Sequence, residues 1–262
     1  MTSHHQRLIT GFVLLLLLLG LLLWGGRGVW TVAVAGVGLL GLWEFYSLFW
    51  PEGRSLLKAG GLVPGLLILF SPALGVSPLV FLLAGFWAAS LLFLLGHDRS
   101  RENGIGFVQI LMAGWVYIPL VLHWVPDWQR IEIVFVLGVT FFSDAGAYYS
   151  GRSFGRKKIW PRVSPNKTWT GAFGGFGAAL LFCLFLGLVW GRCPWYHWLW
   201  IPVTLNIASQ FGDFFESGLK RQLGVKDSGK LLPGHGGLLD RIDSLLLVLP
   251  VYMGIRSVLP LF

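Results

Sequence analysis

The sequence predicts an all-α, multi-pass transmembrane protein of about nine spans with a cytoplasmic N-terminus. Three observations carry that prediction. Of 262 residues, 55% are hydrophobic and only 12% charged, against about 25% charged in soluble domains. Apolar runs close to the roughly 20 residues needed to cross a bilayer alternate with charged or Gly/Pro-rich stretches. The basic residues also segregate between alternate loops, as they do when Lys and Arg stay on the cytoplasmic side.

The runs fall near 8–25, 29–49, 56–71, 76–96, 105–125, 132–149, 170–190, 197–217 and 243–261. The first follows a short basic N-terminus, but no small-x-small cleavage site follows it, so it reads as a retained helix. Pro64 interrupts the third run and Pro72 follows it, which leaves eight spans as the alternative count. With alternating loops, one side holds Arg7, Arg54, Lys58, Arg99, Arg101, the basic residues from Arg152 to Lys167 and those from Lys220 to Arg241. The other side receives only Arg27, Arg130, Arg192 and Arg256 of the 20 Lys and Arg. This partition puts the N-terminus inside the cell, the C-terminus outside, and the polar loops 151–169 and 218–242 on the cytoplasmic face of the inner membrane. Residues 1–130 read as an N-terminal transmembrane region and 131–262 as a C-terminal catalytic one.

The net charge of +8 does not point to nucleic acid, because the basic residues lie between apolar segments and no nucleic-acid module is recognisable. Cys183 and Cys193 form no CxxC and have no paired histidines, so neither a disulfide framework nor a zinc site follows.

Chemistry concentrates in the last third. Asn206, Gln210, Asp213, Ser217 and Lys220 recur at spacings of four and three and share one helix face, with Glu216 beside it. Lipid offers such a stripe no partners, so it must face protein or a watery cavity. Asn206 and Gln210 fit an interhelical polar seam equally well. The segment after it, SGLKRQLGVKDSGKLLPGHGGLLDRID from Ser217 to Asp243, mixes Lys, Arg, Gly, His and Asp. Lysine and arginine neutralise phosphate oxygens, glycines admit close backbone approach, and carboxylates hold Mg²⁺ together with substrate phosphates. Asp240 and Asp243, three apart, are expected to point the same way and to meet Asp213. Gly171, Gly174, Gly175 and Gly177 read as a close-packing face. Glu44, an intramembrane carboxylate, is either paired with a base or protonated in lipid.

The segment resembles the signature of phosphatidate cytidylyltransferases: S-x-x-K-R, then K-D, a Pro/Gly turn and H-G-G-x-x-D-R-x-D. Ser217, Lys220, Arg221, Lys226, Asp227, Pro233, His235, Gly236, Gly237, Asp240, Arg241 and Asp243 match it. A second block, residues 143–171, is similar to that family's D-x-x-A-Y…G-R…F-G…S-P-x-K-T-x-x-G stretch through Asp144, Tyr148, Gly151, Arg152, Ser164, Pro165, Lys167, Thr168 and Gly171. Ala145 and Thr170 depart from it. In the first half only hydropathy and Trp43-Glu44 match.

The resemblance implies transfer of the cytidylyl group of CTP to phosphatidate, giving CDP-diacylglycerol and pyrophosphate for phospholipid synthesis. Asp213 and Asp240 would hold one or two Mg²⁺ ions. Lys220, Arg221, Lys226 and Lys167 would neutralise the triphosphate and the lipid phosphate; His235, in a Gly-His-Gly-Gly sequence, reads as a phosphate contact, with nucleophile or acid/base as the alternative. Asp144, Ser164, Ser217, Asp227, Gly236, Gly237, Arg241 and Asp243 would complete the substrate site. The partners are CTP, phosphatidate and the bilayer, with no nucleic acid; a homodimer is compatible with the sequence. Phosphatidate brings an anionic nucleophile, so direct transfer is expected. The rival readings are an ion-coupled transporter, for which no internal repeat is evident, and a CTP-dependent lipid kinase.

Overall fold

The computed structural model describes residues 3–50, 54–96, 105–234 and 236–262, with the side chains of Ser3–Leu8 outside the description. The chain divides into two compact units, Met1–Asp127 with Asp227–Asp240, and Trp128–Lys226 with Arg241–Phe262.

The first unit is built from α1 (Ser3–Trp24), α2 (Arg27–Phe49), α3 (Ser55–Leu74), α4 (Pro78–Gly96), α5 (Gly106–Tyr117) and the single turn α6 (Pro119–Leu122). Its core is aromatic and tight. Tyr46, Trp115, Leu42, Ile68 and Ile118 are fully buried, and the two polar tips find backbone partners, as buried Tyr and Trp usually do. The Tyr46 hydroxyl donates to Leu111 O at 3.1 Å and Trp115 Nε1 to Gly61 O at 2.6 Å. Pro64 and Pro72 both lie inside α3 without ending it. The run expected at 105–125 is interrupted at Pro119, where the missing N–H starts a new helical turn.

The second unit contains α7 (Arg130–Phe154), α8 (Trp169–Trp190), α9 (His197–Gln222) and most of α10 (Leu239–Arg256). A capping box of Gln129 and Glu132 opens α7. Glu132 also binds the Tyr252 hydroxyl at 3.0 Å and the Arg256 guanidinium, tying the start of α7 to the end of α10. Helices α7 and α8 lie against each other through small residues: a Cβ on Gly146 would stand 2.6 Å from Gly174 O, and one on Gly175 would stand 2.6 Å from Ser143 O. Gly171, Gly174 and Gly175 are therefore packing positions, as expected, whereas a Cβ on Gly177 would meet nothing within 4 Å. Cys183 and Cys193 are free and buried.

The all-α expectation needs one correction. Residues 158–168 form a small antiparallel hairpin, β1 (Lys158–Trp160) with β2 (Ser164–Thr168), pairing Lys158 with Thr168 and Trp160 with Ser164. Helix α7 also runs past Gly151 to Phe154, so the loop expected at 151–169 is a helix end followed by a hairpin. Thr168 closes the hairpin and caps α8, its Oγ1 accepting from Gly171 N at 3.1 Å.

Six described helical segments are long and apolar enough to cross a membrane: Arg27–Phe49, Ser55–Leu74, Pro78–Leu95, Gly106–Asp127, Arg130–Phe154 and Trp169–Trp190. The three other expected spans are helical, but the described apolar part of the first, Ile9–Trp24, is shorter. The last two carry Asp213, Glu216, Lys220 and Arg221 in α9 and Asp240, Arg241 and Asp243 in α10. What lowers their hydropathy is the set of side chains that suggested a site.

Candidate active site

The second unit assembles a polar line from α7, β2, α9 and α10. It starts as a seam between helices: Asn206 Nδ2 donates to Ser143 Oγ at 2.6 Å, and Gln210 Nε2 donates to Asn206 Oδ1 at 2.8 Å. One turn on, the hairpin delivers Lys167 to the stripe. Its ammonium lies 2.7 Å from Asp213 Oδ2, 3.4 Å from Gln210 O and 4.3 Å from the centre of the Phe214 ring. Asp213 Oδ1 accepts from Ser217 Oγ at 3.1 Å, so helical spacing fixes the other side of the carboxylate.

Two further carboxylates surround this pair. Asp144, from α7, feels the charges of Asp243, Asp213 and Lys167. Asp243, from α10, is surrounded by Asp213, Glu216 and Lys220. Gly212 permits that approach, since a Cβ there would stand 2.6 Å from Asp243 O and 2.8 Å from Ser244 Cα. Lys220 reaches back 2.9 Å to the buried Glu216. At the C-terminal turn of α9, Lys220 and Arg221 also complement the helix dipole.

Ser164 is half-buried on β2, while Arg221, Lys226 and Arg241 are exposed. Arg152 Nη1 donates to the Tyr148 hydroxyl at 3.0 Å. An apolar cavity of about 540 Å³ lies beside the line, with Trp160, Trp169, Phe173, Phe211 and Phe214 in its wall and Asn206 and Gln210 at its edge.

In the first unit, the turn carrying Asp227, Gly236, Gly237 and Asp240 folds on itself. Leu232 N donates to Gly236 O at 2.9 Å, with Gly234 and Gly236 at φ of 75° and 84°, a conformation that suits glycine. The Asp240 carboxylate accepts from Ser228 N at 3.0 Å and Gly237 N at 2.8 Å. Asp227 is exposed. His235 lies outside the described residues.

Among the described residues, no three carboxyl, imidazole or thiol groups converge to cage a metal ion. Mg²⁺ does not require such a cage, because it binds through one or two carboxylates and fills its shell with substrate phosphates and water. Asp213 is a hard-oxygen donor of that kind, and its repulsion with the neighbouring Asp144 and Asp243 is what a cation relieves. In this structure the Lys167 ammonium supplies that positive charge.

Some contributors escaped sequence reasoning. Gly212 left no signal beyond being a glycine one residue before Asp213. Ser143 and Ser228 look like ordinary serines, though Ser143 directly precedes Asp144. Glu216 was visible beside the stripe, but its burial was not.

Residues 5–259 match the cytidylyltransferase family. Similar curated proteins include the phosphatidate cytidylyltransferase of Bacillus subtilis, 32% identical over 95% of this chain and 96% of its own length. Those of Brucella suis and Pseudomonas aeruginosa are 35% and 36% identical, each over 94% of this chain and over 90% and 94% of their own lengths. A match that runs through both units and the whole polar line places the chain within the cytidylyltransferase family.

Proposed function

We propose that the protein transfers the cytidylyl group of CTP to phosphatidate, releasing pyrophosphate and leaving CDP-diacylglycerol in the membrane. The observation that carries this reading is the Lys167–Asp213 pair among Asp144, Asp243 and Lys220 in a chain of this family. Relatives that match it nearly end to end are named phosphatidate cytidylyltransferases.

The lipid phosphate attacks the α-phosphorus of CTP, the new P–O bond forming as the bond to the pyrophosphate oxygen breaks. Both reactants are anionic, so catalysis is mainly charge neutralisation and in-line placement. Lys167, Lys220, Arg221 and Lys226 neutralise phosphate oxygens. Lys167 leaves Asp213 to do so, which frees that carboxylate for a divalent cation. Asp213 and Asp240 are the proposed Mg²⁺ ligands, and a cation at Asp213 would relieve its repulsion with Asp144 and Asp243. A bound Mg²⁺ would supply charge neutralisation at the phosphates. Ser164, Ser217, Asp227, Gly236, Gly237 and Arg241 are proposed to line the substrate site, with His235 as a phosphate contact. The apolar cavity beside Phe214 suits an acyl chain, because a diacyl substrate stays in lipid while its phosphate reaches the polar line. Nine spans, an inner-membrane location and a cytoplasmic active site complete the proposal.

The test is product analysis of purified protein with Mg²⁺, CTP and phosphatidate in detergent. CDP-lipid and pyrophosphate are expected. CDP with a newly phosphorylated lipid alcohol would identify a kinase instead.

A further inference from the structure

Glu44 lies in α2, far in sequence from every residue assigned above, and is 6% exposed. Its Oε2 accepts from Leu239 N at 2.8 Å and from Ser228 Oγ at 3.3 Å, partners 195 and 184 residues away. Both partners belong to the turn that carries Asp227, Gly236, Gly237 and Asp240.

The fit around this carboxyl leaves no room for larger neighbours. A Cβ on Gly229 would stand 2.5 Å from Glu44 Oε1, and one on Gly237 would stand 2.6 Å from Oε2 while overlapping Ser228 Oγ. Gly237 thus has a packing reason to be glycine, in addition to any approach to phosphate. Asp240 holds the same two strands of the turn from within, through Ser228 N and Gly237 N. Ser228 is therefore held by its side chain from Glu44 and by its backbone from Asp240.

Among the described residues, buried Glu44 Oε1 has no hydrogen-bond partner. A buried polar atom left unpaired costs stability, yet the carboxyl is kept here, with its other oxygen bound to Leu239 N and Ser228 Oγ. The carboxyl is therefore better explained by what it fixes than by what it stabilises.

We infer that Glu44 is a positioning residue for the reaction: it anchors the 227–240 turn to α2 and so sets where Asp240 and the Gly236–Gly237 backbone stand. The inference rests on the proposed cytidylyl transfer. It gives a function to the one polar residue of the N-terminal half that matched the family signature.

The experiment compares Glu44→Ala and Glu44→Gln in full-length protein extracted in detergent, reading kcat and KM for CTP, the thermal midpoint, and trypsin cleavage after the exposed Lys230. Glutamine keeps a carbonyl acceptor for Leu239 N and Ser228 Oγ. Glu44→Ala is expected to lower kcat by about 100-fold, the scale of a small misplacement of reacting groups, with little change in KM. Cleavage after Lys230 should accelerate in parallel, and Glu44→Gln should restore most of both. A merely structural role would lower the yield or the midpoint but leave kcat per folded molecule unchanged. Wild-type kcat in Glu44→Ala, lost kcat with an undisturbed cleavage rate, or failure of Gln to restore what Ala removes each overturns the inference. Should Glu44→Ala not accumulate in folded form, Ser228→Ala carries the same expectations in milder degree, and unaltered kcat and cleavage there overturn it. Absence of CDP-lipid from wild type would sink the proposed reaction instead, and the cleavage pattern would still read the order of the turn.

Discussion

Lys167 on β2 holds Asp213 on α9 with Nζ and Oδ2 2.7 Å apart, both side chains about a quarter to a third exposed. Open on one side and anchored on the other by Ser217 and the Phe214 ring, the pair can separate when a phosphate and a cation arrive. When the ammonium is removed, the Asp213 carboxylate keeps its Ser217 hydrogen bond and its solvent-open side, so the loss should register in catalysis more than in stability. Lys167→Met is expected to lower kcat/KM for CTP by about 100-fold or more, the cost of deleting one preorganised stabilising group, while leaving the thermal midpoint close to wild type. Equal turnover by the variant would remove Lys167 from the site.

The proposed ligands make separable predictions. Asp213→Asn and Asp240→Asn should each reduce turnover by two to three orders of magnitude, roughly the loss seen when a transition-state charge stabiliser is removed. Both proteins should remain membrane-inserted and soluble in detergent. A Mg²⁺ titration distinguishes the two residues, because Asp240 also accepts from Ser228 N and Gly237 N. Saturating Mg²⁺ is expected to recover part of the loss in Asp213→Asn, whereas Asp240→Asn should stay low and lose protection of its turn. Near-normal Mg²⁺-dependent turnover in either variant would show that the residue is not a ligand.

Gly212 tests whether close approach of α9 and α10 matters. Its missing Cβ is replaced by the backbone of Asp243 and Ser244, and backbone cannot swing aside as a flexible side chain can. Gly212→Ala must push the helices apart, at about 1–3 kcal/mol for overpacking, and carry Asp243 away from Asp213. Activity should fall by more than the change in thermal midpoint explains, as seen by comparing kcat with the fraction folded at the assay temperature. A variant that loses stability but keeps its kcat would leave Asp243 without a role near Asp213.

Sequence legibility differed between the two halves of the polar machinery for physical reasons. The Asn206–Lys220 stripe was readable because helical periodicity alone places those side chains on one face, and the Asp213–Ser217 hydrogen bond is a direct product of i,i+4 spacing. The small-residue face of α8 was readable for the same reason. The hairpin was not: Ser-Pro-Asn-Lys-Thr has neither alternation nor β-branched enrichment, and its strands of three and five residues pair with each other. Glu44 was undecidable because both its partners come from almost 200 residues away, a separation no local pattern records. Asp240 was expected beside Asp243 on one helix face, but its carboxylate turns to the backbone of its own loop, an interaction that spacing does not encode.

Membrane placement is tested at the two ends of α9, the most polar of the long helices. In a background lacking Cys183 and Cys193, cysteines at the exposed positions Gln222 and Arg192 are expected to react with an impermeant maleimide from the cytoplasm and from outside, respectively. A 26-residue helix spans about 39 Å at 1.5 Å per residue, enough to cross the hydrocarbon core. Labelling of both positions from one side would remove α9 from the spans and reassign every later loop.

Direct transfer has its own signature. Phosphatidate supplies an ionised oxygen, so no side chain has to become the nucleophile. The groups gathered around Asp213 are carboxylates and ammonium ions suited to neutralising charge. A covalent route would cleave CTP before the lipid binds, leaving a cytidylyl-enzyme that labelled pyrophosphate could reverse. Direct transfer forbids that partial reaction, because the bond to pyrophosphate breaks only as the lipid phosphate attacks. Enzyme freed of bound lipid, given Mg²⁺, CTP and labelled pyrophosphate, is therefore expected to return no label to CTP. Adding CDP-diacylglycerol should switch exchange on through reversal of the full reaction. Robust exchange without lipid would require an enzyme nucleophile, and His235, in the Gly-His-Gly-Gly sequence, would be the first residue to substitute.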